Sequence, residues 1–284
     1  MPRRSDLTLP ARDGFPLRAT LFTPDSPPRA SALLAGGMGI PRRFYARLAE
    51  DLAANGFAAL TLDYRGMGES VSGPIRALDA SITTWATQDL AAALDWIRRE
   101  LSPRAFLVGH SAGGQMVGLV PEAESLEGVV LVTAQSGYWG HWPFPIRYLY
   151  GALWYGLMPA ATRAFGFFPA RALGLGENLP AGAAREWASW CRSPGYLFDE
   201  IEPADLARYE RFDRPILAWS FTDDAYAPPA AVDALLAGFL SAPIEHRRVD
   251  PSAAGLPRVG HLGFFRESSR ESLWRATIEW MASR

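Results

Sequence analysis

The chain has 284 residues, is 49% apolar by composition and carries a formal net charge of −2. That length allows one large α/β domain with an insertion or two modest domains, and the charge gives no electrostatic case for nucleic acid or an acidic membrane surface. The sequence holds no lysine and one cysteine, Cys191, which excludes a Walker A loop, a pyridoxal Schiff base, a serine–lysine dyad, an intramolecular disulfide and a cysteine-rich metal site.

Residues 7–9 and 17–22 read as two strands joined by the turn Arg12-Asp13-Gly14. Residues 31–35 form a short buried strand that ends in Gly36-Gly37-Met38-Gly39. Residues 44–55 have helical spacing, with Phe44, Leu48 and Leu52 on one face and Gly56 as the stop. An apolar strand over 57–62 leads into Asp63-Tyr64-Arg65-Gly66-Met67-Gly68-Glu69-Ser70. An amphipathic helix follows over 85–101, ended by Ser102-Pro103. The strand Ala105-Phe106-Leu107-Val108 then meets Gly109-His110-Ser111-Ala112-Gly113, and residues 114–120 can continue as a helix. A strand, a sharp turn with serine at its apex and a helix form the nucleophile elbow, which strains the apex residue and lifts its hydroxyl clear of the sheet.

Another strand covers 128–133, after which the alternation breaks. Residues 135–211 are rich in aromatics, have helical pieces and offer no good strand, so they are expected to be an inserted helical cap. The strand pattern resumes at 215–220 and 244–249, and an amphipathic helix over 273–281 closes the chain. Apolar strands alternating with helices predict a mostly parallel sheet covered on both faces, with a core of 1–134 and 212–284. No signal peptide and no membrane span are expected, because no run reaches the roughly 18 apolar residues a span needs. Residues 148–168 come nearest and are interrupted by Pro159 and Arg163. A reducing cytoplasm is the expected compartment. Arginine in place of lysine, with abundant alanine, fits a GC-rich bacterial genome.

A serine hydroxyl needs a base, and the base needs an orienting acid. Without lysine, that base is a histidine or a carboxylate. His261 sits in the loop Val259-Gly260-His261-Leu262-Gly263 after the last strand, where it can swing over Ser111. His110, inside the turn and directed away from Ser111, and His246, in a strand, read as packing or surface histidines. The acid is expected at the end of the strand over 215–220, where Asp223 and Asp224 are adjacent. One should face the imidazole and the other should cap the helix that begins near Pro228-Pro229. The oxyanion needs backbone N–H donors. Ala112 supplies one, and Met38 in the glycine-rich loop is expected to supply the other. Trp139, His141 and Trp142 follow the sixth strand and are expected to lie over Ser111 as substrate-binding residues.

The order Gly-Gly-Met-Gly, Gly-His-Ser-Ala-Gly, Asp224, His261 resembles the α/β-hydrolase superfamily over nearly the whole chain. The opening Asp13-Gly14-Phe15-Pro16-Leu17 is similar to that of the group holding serine aminopeptidase-like hydrolases, monoacylglycerol lipases and lysophospholipases. Residues 63–70 are similar to the D-x-R-G-x-G-x-S loop of that group, where the role is structural. The resemblance favours Asp224, whose Asp-Ala-Tyr-Ala-Pro matches the family's D-x-x-x-P. The chain departs from many relatives at Gly36, where they carry a histidine. The family implies the α/β-hydrolase fold and a serine hydrolase that needs no cofactor and cleaves an ester or thioester of an apolar acyl group. An acyltransferase with the same residues, or a non-catalytic acyl-ligand binding protein, stays open, as does a homodimer.

Overall fold

The computed structural model describes residues 2–284. Its main sheet has eight strands in the order β1-β2-β4-β3-β5-β6-β9-β10. They are β1 (Arg3–Pro10), β2 (Pro16–Thr23), β3 (Ala30–Ala35), β4 (Phe57–Leu62), β5 (Ala105–His110), β6 (Gly128–Val132), β9 (Ile216–Phe221) and β10 (Ile244–Val249). The hairpin β1–β2 and the pair β2–β4 are antiparallel, and all other pairings are parallel. Strands β3 to β6 and β9 are buried along their whole length, as their unbroken apolar runs require of a sheet covered on both faces. The edge strand β10 is half-exposed and carries His246, Arg247 and Arg248, charge and polarity that suit an open edge.

The helices are α1 (Ala46–Ala54), α2 (Ile82–Thr84), α3 (Ala91–Glu100), α4 (Ala112–Gln115), α5 (Ile146–Ala152), α6 (Met158–Phe165), α7 (Ala181–Arg192), α8 (Pro203–Arg211), α9 (Pro229–Leu236) and α10 (Arg275–Ala282). One core lies between the sheet and α1 and α10, built from Leu48, Leu52, Phe106, Trp219, Trp274 and Ile278. The other lies on the opposite face under α3, α8 and α9 and includes Leu94, Tyr209 and Leu235. A single π-turn over Trp85–Leu90 joins α2 to α3.

The helix expected over 114–120 is a correction. α4 stops at Gln115, and a 3₁₀ turn over Val117–Leu119 follows. Gly113, Gly114 and Gly118 fall within seven residues here, and each costs about 1 kcal/mol of helix propensity against alanine. Between β6 and β9 the chain builds α5 to α8 and one small hairpin, β7 (Phe167–Phe168) with β8 (Leu179–Pro180). Those two strands, of two residues each, are too short to leave a period-2 pattern.

The loop over 63–70 is scaffolding. The Asp63 carboxylate accepts the backbone N–H of Arg42 at 2.7 Å and of Glu69 at 3.0 Å, and pairs with the Arg42 guanidinium at 2.5 Å. Arg65 is clamped between Asp13 and Asp89. Burial raises the Asp89 carboxyl to about 6, against the pull of Arg65. No helix among the described residues is long and apolar enough to cross a membrane.

Candidate active site

Ligands of parallel sheets collect beyond the carboxyl ends of the strands, and four loops meet there. The registers Ala35↔Gly109, His110↔Val132 and Val132↔Trp219 bring the ends of β3, β5, β6 and β9 side by side. Ser111 follows β5 with φ 49° and ψ −116°. That left-handed, sparsely populated conformation costs of order 1–3 kcal/mol and persists only where its surroundings enforce it. The two glycines of the motif supply the enforcement. A Cβ at Gly113 would lie 2.0 Å from Ala35 O, and one at Gly109 would lie 2.6 Å from Gly114 Cα. The elbow is therefore pressed directly onto the end of β3.

His261 Nδ1 lies 2.8 Å from Asp224 Oδ2. The Asp224 side chain is fully buried, and its Oδ1 accepts the Tyr226 N–H at 2.9 Å. A carboxylate only accepts, so Nδ1–H donates to it, which fixes the ring's orientation and, in the neutral imidazole, leaves the lone pair on Nε2. Ser111 and His261 line the same cavity. Neither Ser111 Oγ nor His261 Nε2 is spent on a hydrogen bond to any described residue.

Asp223 does not cap α9, whose N-cap, Pro228, receives no side-chain bond. Instead its two oxygens accept the N–H groups of Val259 at 3.0 Å and Gly260 at 2.9 Å. Asp223 thus holds the backbone that carries His261 instead of capping a helix. The reason is topological: β10 pairs in parallel with β9, so the loops leaving both strands emerge together.

Met38 lines the cavity in a turn closed by Ile40 N–H to Gly37 O at 3.1 Å. The N–H groups of Met38 and Ala112 donate to no described residue. Ala112 opens α4, where the first N–H groups of a helix have no internal partner. A Cβ on Gly37 would come within 2.9 Å of His110 Nδ1 and 3.4 Å of Ser111 Cβ, so this loop runs against the elbow.

Behind the serine runs a hydrogen-bond chain that sequence reasoning did not find. Gly37 N–H donates to Tyr45 Oη at 2.7 Å, Tyr45 Oη meets His110 Nδ1 at 2.8 Å, and His110 Nε2 meets His261 O at 3.0 Å. The carbonyl can only accept, so Nε2 carries the proton, Nδ1 accepts, and Tyr45 donates to it. Burial depresses the His110 pKa well below its usual value, with the nearby His261 adding to it, so the imidazole stays neutral. His110 is a packing histidine, but it ties the Gly37 loop to the His261 loop. His246 bonds Ser220 Oγ at 2.8 Å on β9 and stands apart from the cavity.

The cavity measures about 440 Å³. Apart from His110 and His261 its wall holds no titratable group but the phenols of Tyr150 and Tyr226, and most of it is apolar. Leu153, Trp154, Met158, Phe168 and Trp187 come from the segment between β6 and β9. Of the three residues expected over Ser111, Trp142 lines the cavity, its indole N–H donating to Ala225 O at 2.9 Å. Trp139 and His141 do not. The 3₁₀ turn Trp139–His141 turns them aside, so that Trp139 packs on Tyr148 and Tyr155 and His141 on Tyr138. Closeness to β6 in the chain did not decide where these rings point. The helical periodicity of 150–158 was the better signal, with Tyr150, Leu153, Trp154 and Met158 on one face.

Residues 32–273 match the family described as "Alpha/beta hydrolase family". Among solved structures, the chain is similar to a protein named DcsB in complex with its substrate analogue, at a TM-score of 0.68 and 16% identity over 99% of each chain. It is similar to an esterase of Exiguobacterium antarcticum, at 0.65 and 16% identity over 98% of this chain and 100% of that one. An esterase of Pyrococcus furiosus matches at 0.62 and 14% identity over 99% and 92%. Likeness at these identities establishes the fold.

Proposed function

We propose that this chain, which belongs to the alpha/beta hydrolase family, is a serine hydrolase that cleaves an ester or thioester of an apolar acyl group. Ser111 is the nucleophile, His261 the general base and then the general acid, and Asp224 the residue that orients the imidazole. Attack by Ser111 Oγ on the acyl carbonyl passes the hydroxyl proton to His261 Nε2. The imidazolium so formed is held by Asp224 and returns the proton to the leaving alcohol or thiol. Met38 and Ala112 N–H groups receive the oxyanion. Water then enters, loses a proton to His261 and releases the acid, regenerating Ser111.

The observation that carries this reading is the strained elbow at Ser111 sharing one cavity with an imidazole whose other nitrogen is fixed by a buried carboxylate. The apolar wall supports a neutral, apolar acyl group, because an ionised group placed there would find no countercharge. Residues 135–211 act as the cap that supplies this wall, with Trp142 among the residues in contact with substrate. Replacement Ser111→Ala is expected to lower turnover of a short nitrophenyl ester on the order of 10⁶-fold with the fold intact by circular dichroism. The same variant should escape labelling by a fluorophosphonate. Turnover that persists in Ser111→Ala would overturn the assignment.

A further inference from the structure

Nine of the twelve large apolar side chains that stand exposed among the described residues fall within residues 144–175. Seven belong to a single helical rod and the turn that enters it, formed by α5, a π-turn over Leu153–Leu157 and α6. The rod is two-sided. Its inner face, with Tyr150, Leu153, Trp154 and Met158, lines the cavity of Ser111. Its outer face presents Phe144 (74% exposed), Leu149 (73%), Tyr155, Phe165, Tyr148 and Leu157. A surface helix ordinarily turns polar residues outward; here Phe144, Tyr148 and Tyr155 are linked by ring contacts, directly and through Trp139, and exposed apolar clusters of this kind mark an interaction site.

The charges decide what covers it. The rod carries Arg147 and Arg163 and no aspartate or glutamate, while Arg171 beyond its end is paired with Glu177. Two guanidinium groups lie on the patch's own rings, Arg147 over Tyr148 at 5.3 Å and Arg192 over Tyr155 at 5.7 Å. Arg163 stands exposed on the last turn of the rod, and Arg76 packs beside Gly166 at its end. A second copy of this chain meeting the face through a two-fold axis would set the same patch against itself, so that like charges would meet with no carboxylate of the rod between them. The net charge of −2 averages over this local basic surface and hides it.

We infer that the outer face of α5 and α6 docks on an anionic lipid bilayer. Phe144, Leu149, Tyr155 and Phe165 enter the headgroup boundary, while the arginines remain at the phosphates. The docked rod is the same one whose inner face walls the cavity, so an acyl substrate dissolved in the bilayer is delivered beside Ser111. The inference goes beyond the proposed hydrolysis and does not depend on it, since an enzyme inactive on every ester would still bind the vesicle.

The test is co-flotation of the full chain with vesicles of phosphatidylcholine alone and of phosphatidylcholine mixed with phosphatidylglycerol. Binding to the mixed vesicles is expected to be about tenfold tighter or more, and to weaken with added salt. Leu149→Glu with Phe144→Glu should abolish flotation, and Arg163→Glu should remove most of the preference for the anionic vesicles. Both variants should keep wild-type turnover of a water-soluble ester, or, for an enzyme without such turnover, the wild-type circular dichroism spectrum. Failure to float, equal binding to both vesicle types, or a dimer in sedimentation velocity that Leu149→Glu dissolves would each overturn the inference.

Discussion

Asp223 accepts two backbone N–H groups with two oxygens, so Asp223→Asn turns one acceptor into a donor facing a donor. The loop that carries His261 would shift, and a displacement of about 1 Å at a reacting group can cost up to about 10²-fold. Asp224→Asn attacks a different quantity. Its amide can hold the imidazole in the wrong tautomer, with Nε2 protonated, and the loss expected is about 10⁴-fold in kcat. Measured side by side on a soluble ester, the two variants should rank in that order. The reverse ranking would move the orienting role to Asp223. Position in the chain leaves these two aspartates level, and only the resemblance favours Asp224. What separates them is the direction of each carboxylate, and direction is set by the parallel pairing of β9 with β10, which places the 259–260 backbone beside one side chain and the imidazole beside the other.

At the scale of elements, Glu186 on α7 shows how the segment between β6 and β9 is fastened. Its Oε2 accepts the N–H groups of Ile82 at 2.5 Å and Thr83 at 3.0 Å, and its Oε1 accepts the Thr83 hydroxyl at 2.6 Å. These are the orphan donors at the start of α2, so a side chain about a hundred residues away serves as part of that helix's cap. Burial raises the Glu186 pKa against those hydrogen bonds, so folding does not favour its charge. Glu186→Gln should then be tolerated, because the amide oxygen can take the two N–H groups and the Thr83 hydroxyl can turn to accept from the amide nitrogen. Glu186→Ala leaves the donors without a partner and should cost about 1–3 kcal/mol in urea unfolding. Equal losses in both variants would show that charge, not acceptor geometry, is what matters. Sequence periodicity and apolar runs located α3, α10 and the strands of the main sheet because each buries a pattern of its own. They could not reveal this cap, which joins residues that share no local pattern, nor that the turn after α4 would press Gly118 against the Tyr209 ring.

Across the whole molecule, the sheet and the segment over 135–211 share one core. Trp154, Met158, Phe168, Trp190 and Tyr196 belong to the same buried cluster as Leu33, Leu62, Leu107 and Met116. Polar ties reinforce it: Tyr196 Oη–H donates to Gln115 Oε1 at 2.8 Å, Tyr209 Oη–H to Gln115 O, and Glu177 N–H to Gly39 O at 2.8 Å. Two of these end on α4 and one on the glycine loop, so the segment is bolted to the two turns that flank Ser111. The aromatic richness of 135–211 did not reveal that its rings would interleave with the sheet's own core. A domain held only by a polar interface would open separately; one that lends side chains to a common core should not. Thermal unfolding is therefore expected as a single transition, with calorimetric and van't Hoff enthalpies equal. Five of the ten tryptophans lie between residues 135 and 211, so fluorescence weights that segment while far-ultraviolet circular dichroism weights the whole. Coincident melting curves from the two probes would agree with the shared core. A fluorescence transition well below the other would mean that the wall of the cavity opens while the sheet stays folded, and that Ser111 loses its apolar surroundings before the protein loses its fold.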